Sequence, residues 1–168
     1  PTAGCFYVLD RATGQFISAE NYVQVPWATH IDPTTGRPVE TDPVQYRDEK
    51  KLTFPAPFGG HNWQPMSYSP RTGLVYIPAM DLPFTFAQEK DFKYGRHPWN
   101  MAVDMAAAMP SADQDPALTR KVMRAIAKGH IPAWDPVAQK ALRRVQHAGP
   151  GNVGLPLTPG HRLLPATA

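Results

Sequence analysis

This 168-residue sequence has only one cysteine, no long apolar run and no strong charge of one sign. Its single cysteine, Cys5, cannot form a disulfide within the chain. No apolar run reaches the roughly 18 residues of a membrane-spanning helix, so we expect no transmembrane segment. With 17 Lys and Arg against 14 Asp and Glu, the net charge of +3 does not favour nucleic acid as a partner. No initiator Met or signal peptide is visible, so we expect a mature or an incomplete chain.

The motifs of common metal, hydrolase and nucleotide sites are missing as well. The six histidines are far apart in sequence, and no HExxH, paired-Cys or EF-hand pattern occurs. No GxSxG precedes a predicted helix, and no glycine-rich phosphate loop follows a predicted strand. The sequence therefore predicts neither a metal ligand nor a catalytic residue of these classes in this chain.

Proline and glycine, in contrast, are abundant. With 20 Pro and 12 Gly they make up about a fifth of the chain, against roughly 12% in average proteins. This composition favours many short elements joined by turns and argues against a helical bundle. The hydrophobic content of 42% is enough to bury a core, and one domain is the default at this length.

A strand–turn–strand unit recurs along the chain. Cys5–Leu9 is an apolar run of strand length, and the turn Asp10–Gly14 follows, in which Asp accepts backbone N–H bonds and Gly takes the positive-φ position. A second strand then begins at Gln15, which predicts a hairpin. Further copies of the turn lie at Asp32–Gly36, Ser69–Gly73 and, without the glycine, Asp135–Gln139. Such repetition is typical of β-propellers, although the spacing is irregular here.

Two stretches interrupt these units. Residues 39–60 are rich in Pro, Gly and charge, and we predict a long surface excursion there. Residues 81–130 are predicted to be an insertion with a helix near 116–128. In that helix Asp115 is the N-cap, Pro116 the first helical residue and Gly129 the stop.

The predicted helix has an apolar and a basic face. Its apolar residues recur at helical spacing and are Leu118, Val122, Ala125 and Ile126. Its basic residues are Arg120, Lys121, Arg124 and Lys128. The basic face is either a solvated helix surface or a patch that binds an anion.

The best candidate for a ligand site is the segment 58–66. Gly59 and Gly60 permit a close approach of the backbone, and Asn62 and Trp63 follow almost directly. An Asn amide offers a donor and an acceptor, while an indole offers a flat face and an N–H. These groups suit a planar, oxygen-rich ligand. The alternative is a tryptophan that fills core space after a glycine turn.

Ordered matches over nearly the whole chain carry a resemblance to a known family. The matching runs include Gly4–Arg11, Thr35–Pro38, His61–Trp63, Thr72–Pro78 and Ala133–Lys140. In these runs the sequence resembles the alcohol dehydrogenases that depend on pyrroloquinoline quinone (PQQ), especially the quinohaemoprotein type. The resemblance implies a mainly β fold: antiparallel blades from the C-terminal half of an eight-bladed propeller, with one short helix. A chain of this length leaves that propeller incomplete.

The same resemblance implies alcohol oxidation with PQQ and Ca²⁺ in the periplasm, with haem c possible in the parent protein. The family's aspartate base, calcium ligands and vicinal disulfide lie upstream of the matching region. The implied cofactor-contacting positions in this chain are Asn62, Trp63, Asn152 and Thr2. Thr2 stands where the family has a lysine that contacts the quinone oxygens. A neutral hydroxyl cannot stabilise a developing quinol charge as an ammonium does.

Three hypotheses remain open. Under the first, the chain is part of a PQQ-dependent alcohol dehydrogenase and is inactive in isolation. Its partners are then an alcohol substrate and either the remainder of the propeller or a cytochrome that accepts electrons. The second is a non-catalytic scaffold or degenerate fragment that has lost cofactor binding, which Thr2 and Gly151 favour; at Gly151 the family's Trp is lost. The third, a nucleic-acid-binding module, rests only on the basic helix face.

Overall fold

The computed structural model describes residues 3–41, 46–96, 100–108 and 115–147. Within these ranges the chain forms eleven strands and two helices. The strands are β1 (Cys5–Leu9), β2 (Phe16–Asn21), β3 (Ala28–Ile31), β4 (Pro38–Glu40), β5 (Lys51–Thr53), β6 (Ser67–Ser69), β7 (Leu74–Tyr76), β8 (Ala79–Asp81), β9 (Phe84–Phe86), β10 (Lys128–Asp135) and β11 (Lys140–His147). The helices are the one-turn α1 (Met105–Ala108) and the longer α2 (Pro116–Ile126).

Every strand pairing in the described ranges is antiparallel. Three two-stranded sheets pair β1 with β2, β3 with β4, and β5 with β9. The largest sheet has the order β11-β10-β7-β6, and β8 also pairs with β10. The predicted mainly β fold of open antiparallel sheets is therefore confirmed.

The predicted turns are present. In the three copies that begin with Asp, the carboxylate accepts backbone N–H groups two or three residues ahead. In the copy that begins with Ser69, the N–H of Gly73 donates to the Ser69 carbonyl at 2.8 Å. Oδ1 of Asp10 accepts the N–H groups of Ala12 and Thr13 at 3.0 and 2.7 Å. The Thr13 hydroxyl, which donates to the same oxygen at 2.8 Å, and these backbone bonds lower the pKa of the Asp10 carboxyl. Gly14 follows with φ of +73°, a conformation that costs glycine little.

The fourth copy of the turn forms without its glycine. Oδ1 of Asp135 accepts the N–H groups of Val137 and Ala138, both at 2.9 Å. Gln139 takes the left-handed position with φ of +50°. Its Nε2 also donates to Oγ of Ser18 at 2.9 Å. The turn therefore connects β10 to β11 and contacts β2 at the same time.

The core lies between the β1–β2 hairpin and the largest sheet. Its buried side chains are Tyr22, Val23, Val25, Ala28, Ile77, Ala79 and Trp134. Phe6 packs against Trp134 with ring centroids 6.1 Å apart. Across the same boundary, Nη2 of Arg144 donates to the carbonyl of Tyr22 at 3.0 Å. Apolar packing and this hydrogen bond hold the hairpin against the sheet.

Helix α2 begins where the sequence predicts and ends earlier. Oδ1 of Asp115 accepts the N–H of Ala117 at 2.8 Å and so caps the helix. Gly129 does not stop the helix: it lies inside β10, opposite Met80 of β8 and His147 of β11. Pairing with two strands places this glycine in the sheet, because those backbone hydrogen bonds replace the helical ones.

The range 39–60, predicted as a surface excursion, also contains buried structure. Its second half includes β5 and four buried residues, Thr53, Ala56, Gly59 and Gly60. Gly60 is in contact with the core residue Val23. This part of the range therefore leads from the surface to the candidate ligand segment.

No helix in the described ranges is long and apolar enough to cross a membrane.

Candidate functional site

The site begins at a tight turn formed by two glycines. The N–H of Gly59 donates to the carbonyl of Ala56 at 2.7 Å, and Gly59 has φ of +79°. At Gly60 a Cβ atom would lie 2.5 Å from Cγ2 of Val23 and 3.3 Å from the hydroxyl oxygen of Tyr22. Position 59 requires glycine because its φ angle is positive, and position 60 requires glycine because a Cβ atom would clash with Val23. The close approach that Gly60 permits is therefore to the core of this chain.

Two long-range hydrogen bonds then fix the backbone before the Asn-Trp pair. The N–H of Met80 donates to the carbonyl of Gly60 at 2.9 Å. Nδ1 of His61 lies 2.9 Å from the carbonyl oxygen of Pro78. Because a carbonyl only accepts, Nδ1 carries the proton. Both bonds attach the segment to the chain that enters β8.

His61 is neutral in this environment. It is 4% exposed, and burial lowers the pKa of its imidazole, with the Pro78 carbonyl opposing that effect. The Nδ1–H bond attaches this ring to the Pro78 carbonyl, and the lowered pKa makes the imidazole a weaker base than a free one. The chemistry of the segment therefore depends on the residues that follow it.

Asn62 and Trp63 are presented outward between two buried side chains. His61 before them and Gln64 after them are 4% and 2% exposed. Trp63 is 73% exposed, and Asn62 is partly exposed. Asn62 forms no hydrogen bond to another described residue. Trp63 therefore does not fill the core of the described chain, and the pair is available to a ligand.

A cavity of about 760 Å³ that the sequence did not predict opens beside the same turn. Its apolar lining residues are Pro57, Phe58, Phe84, Phe92, Met101, Ala102, Val103 and Met105, and its charged ones are Glu89, Asp91 and Lys93. The volume falls in the range of small-molecule sites. Its lining comes from four distant stretches of chain, so no local sequence pattern indicates it.

A second buried histidine supports the strands behind the site. Nδ1 of His130 in β10 lies 3.3 Å from Oδ2 of Asp81 in β8. Burial lowers the pKa of His130, and the Asp81 carboxylate opposes that effect. In the described ranges no group of three or more His, Cys, Asp and Glu side chains is placed to hold a metal ion. The other two predicted cofactor contacts, Thr2 and Asn152, lie outside the described residues.

Solved structures define the class of this fold. The chain matches the quinohaemoprotein alcohol dehydrogenase from Comamonas testosteroni with a TM-score of 0.74 and 34% identity, over 92% of this chain and 22% of that one. It matches a europium-containing methanol dehydrogenase with a TM-score of 0.69 and 25% identity, over 92% of this chain and 25% of that one. The open antiparallel sheets are therefore blades of a propeller of the PQQ-dehydrogenase type.

Curated sequences identify the family within that class. A quinohaemoprotein alcohol dehydrogenase of Pseudomonas putida is 42% identical over the whole chain and 23% of its own length. The dehydrogenase subunit of a quinone-type alcohol dehydrogenase from Komagataeibacter europaeus is 40% identical over the same shares. No family model matches the sequence. The predicted resemblance is confirmed: this chain is homologous over its whole length to a segment of the PQQ-dependent alcohol dehydrogenases, and it spans about a quarter of their length.

Proposed function

We propose that this chain supplies one edge of the PQQ site in an alcohol dehydrogenase that oxidises alcohols to aldehydes. The observation that carries the proposal is the outward presentation of Trp63, with Asn62 partly exposed beside it, between two buried side chains. The family resemblance implies that this pair corresponds to the Asn-Trp pair that contacts the cofactor in relatives. PQQ supplies the two-electron acceptor in such a protein. The role of this chain is to bind and orient it.

The chemistry of the pair suits a quinone. The Asn62 amide can donate to a quinone or carboxylate oxygen and can accept from a protonated one. The Trp63 indole offers a flat face and an N–H to a planar ligand. With 73% of its surface exposed, Trp63 does not have to leave a packed position to make such a contact.

The base and the metal come from elsewhere in this proposal. The resemblance implies an aspartate base upstream of this chain, and burial makes the His61 imidazole a weaker proton acceptor than a free one by lowering its pKa. The described residues include no candidate set of ligands for Ca²⁺. The isolated chain is accordingly expected to be inactive.

The remainder of the propeller is the proposed partner of the chain. Leu118, Val122 and Ile126 of α2 are 53%, 45% and 41% exposed, although they form the apolar face of that helix. Apolar patches of this kind are commonly buried against other parts of a protein. Further polypeptide of the propeller would bury this face of α2. From the resemblance we also infer a periplasmic location and a cytochrome acceptor; one relative, from Thauera butanivorans, is named 1-butanol dehydrogenase (cytochrome c).

The second candidate is a propeller-like scaffold without cofactor. The observation that favours it is Thr2 in the place of the family's lysine, since a hydroxyl does not supply the positive charge. Under this alternative the Asn-Trp pair is a remnant. A binding measurement separates the two candidates.

A segment exchange provides that measurement. The aligned segment of the Pseudomonas putida enzyme is replaced by this chain, and the chimera is reconstituted with PQQ and Ca²⁺. Fluorescence quenching then gives the affinity for PQQ, and dye reduction gives the activity with a primary alcohol. Binding and activity support the proposal. A chimera that folds with the native circular-dichroism spectrum and does not bind PQQ supports the scaffold.

A further inference from the structure

The conformation of the Asn-Trp pair depends on the residue before it. Gly60 leaves no room for a side chain, so it cannot itself anchor the segment. His61 is the first side chain that can, and its ring reaches the carbonyl of Pro78, 17 residues further along the chain. The bond is directional and buried, and it lies one residue away from Asn62.

An apolar side chain at 61 could fill the same space without making this contact. The Pro78 carbonyl is an acceptor in a buried residue, and an acceptor of this kind without a donor is costly to bury. The segment would then shift to reach another donor or water. A shift of the backbone at residue 61 would also displace the backbone of Asn62 and Trp63, because they follow directly in the chain.

We propose that His61 is a positioning residue, whose Nδ1–H bond to the Pro78 carbonyl sets the orientation in which Asn62 and Trp63 face the cofactor. The expected effect on cofactor affinity rests on the proposed function. Its structural part, the effect of the bond on the pair, concerns this chain alone.

A matched pair of substitutions isolates the bond from the volume of the ring. His61→Asn places an amide N–H close to the position of Nδ1, whereas His61→Gln places it near Nε2, away from the Pro78 carbonyl. Both are polar amides without the ring, so they differ chiefly in whether the donor is kept. His30→Gln is the control, because His30 is an exposed histidine on β3.

The first readout needs no cofactor. The 168-residue chain is labelled with 5-fluorotryptophan, and the Trp63 resonance is assigned by its loss in Trp63→Phe. We expect one sharp ¹⁹F line for Trp63 in the wild type and in His61→Asn. In His61→Gln we expect a shifted or broadened Trp63 line, while the line of the core residue Trp134 stays in place. An unchanged Trp63 line in a folded His61→Gln chain would overturn the proposal.

The second readout is cofactor affinity in the chimera. We expect His61→Asn to bind PQQ within about twofold of the unsubstituted chimera, and His61→Gln to bind about tenfold more weakly, the loss of roughly one hydrogen bond. Equal affinities for the two variants, with equal unfolding midpoints, would overturn the positioning role. If the unsubstituted chimera does not bind PQQ, the proposed function fails, and the ¹⁹F result still decides the role of His61.

Discussion

Gly60→Ala is expected to destabilise the fold through a clash at a defined place. The added Cβ would lie 2.5 Å from Cγ2 of Val23, a core residue that is 7% exposed. Overpacking of this kind costs about 1–3 kcal/mol. Roughly 0.4–1 kcal/mol is regained because alanine restricts the unfolded chain. We therefore expect urea denaturation of the 168-residue chain to show a free energy of unfolding lower by about 1–2 kcal/mol.

Val23→Ala provides the internal test, because it removes both methyl groups that the new Cβ would meet. In that background Gly60→Ala is expected to cost about 1 kcal/mol less, a coupling typical of residues in contact. Gly14→Ala is the control: Gly14 has φ of +73° and open space around a Cβ, so its cost arises from the backbone alone. If the costs of Gly60→Ala and Val23→Ala are additive, the clash does not exist.

Two further predictions concern activity and pH. The isolated chain, supplied with PQQ and Ca²⁺, is expected to show no alcohol-dependent dye reduction above a boiled control; turnover in the unboiled sample alone would contradict this. Burial lowers the pKa values of His61 and His130 in the folded chain. Below a pH of about 6.5, the usual pKa of histidine, these two side chains are therefore protonated more fully in the unfolded chain than in the folded one. The free energy of unfolding should therefore fall as pH drops below about 6.5, and urea midpoints that stay constant between about pH 7 and pH 5.5 would contradict this.

Features that depend on a few neighbouring residues were predictable from the sequence. The turns at Asp10, Asp32 and Asp135 rest on a carboxylate that bonds to backbone groups two or three residues ahead. Even the copy that ends in Gln139 rather than glycine keeps the same left-handed position. The start of α2 was predictable for the same reason, since its cap at Asp115 is local.

Features that depend on distant parts of the chain were not predictable in this way. Gly129 has the sequence signature of a helix stop, and only its pairing with β8 and β11 shows that it belongs to a strand. His61 is another case: it is buried, and the acceptor of its Nδ1–H is the carbonyl of Pro78, 17 residues further along the chain, which no local pattern indicates. The cavity lined by Phe58, Phe84 and Phe92 has no local pattern at all.

The candidate site lies between these two cases. Asn62 and Trp63 were selected by their chemistry and by the family resemblance. The residues alone left a core tryptophan as the alternative, and the structure places Trp63 73% exposed between the buried residues His61 and Gln64. Sequence selected the pair as a candidate, and the structure adds that Trp63 is exposed between two buried neighbours.

The affinity of the chimera for PQQ after Asn62→Ala tests the central claim most directly. A hydrogen bond to a charged or strongly polar ligand edge is worth about 1.5–3 kcal/mol, so the account predicts a loss of roughly ten- to hundredfold, measured by fluorescence quenching. Trp63→Phe should cost less, because the ring face remains and only the indole N–H is lost. Gln88→Ala, which removes an exposed amide side chain elsewhere, should leave the affinity unchanged. Unchanged affinity in Asn62→Ala would contradict the account and would favour the scaffold.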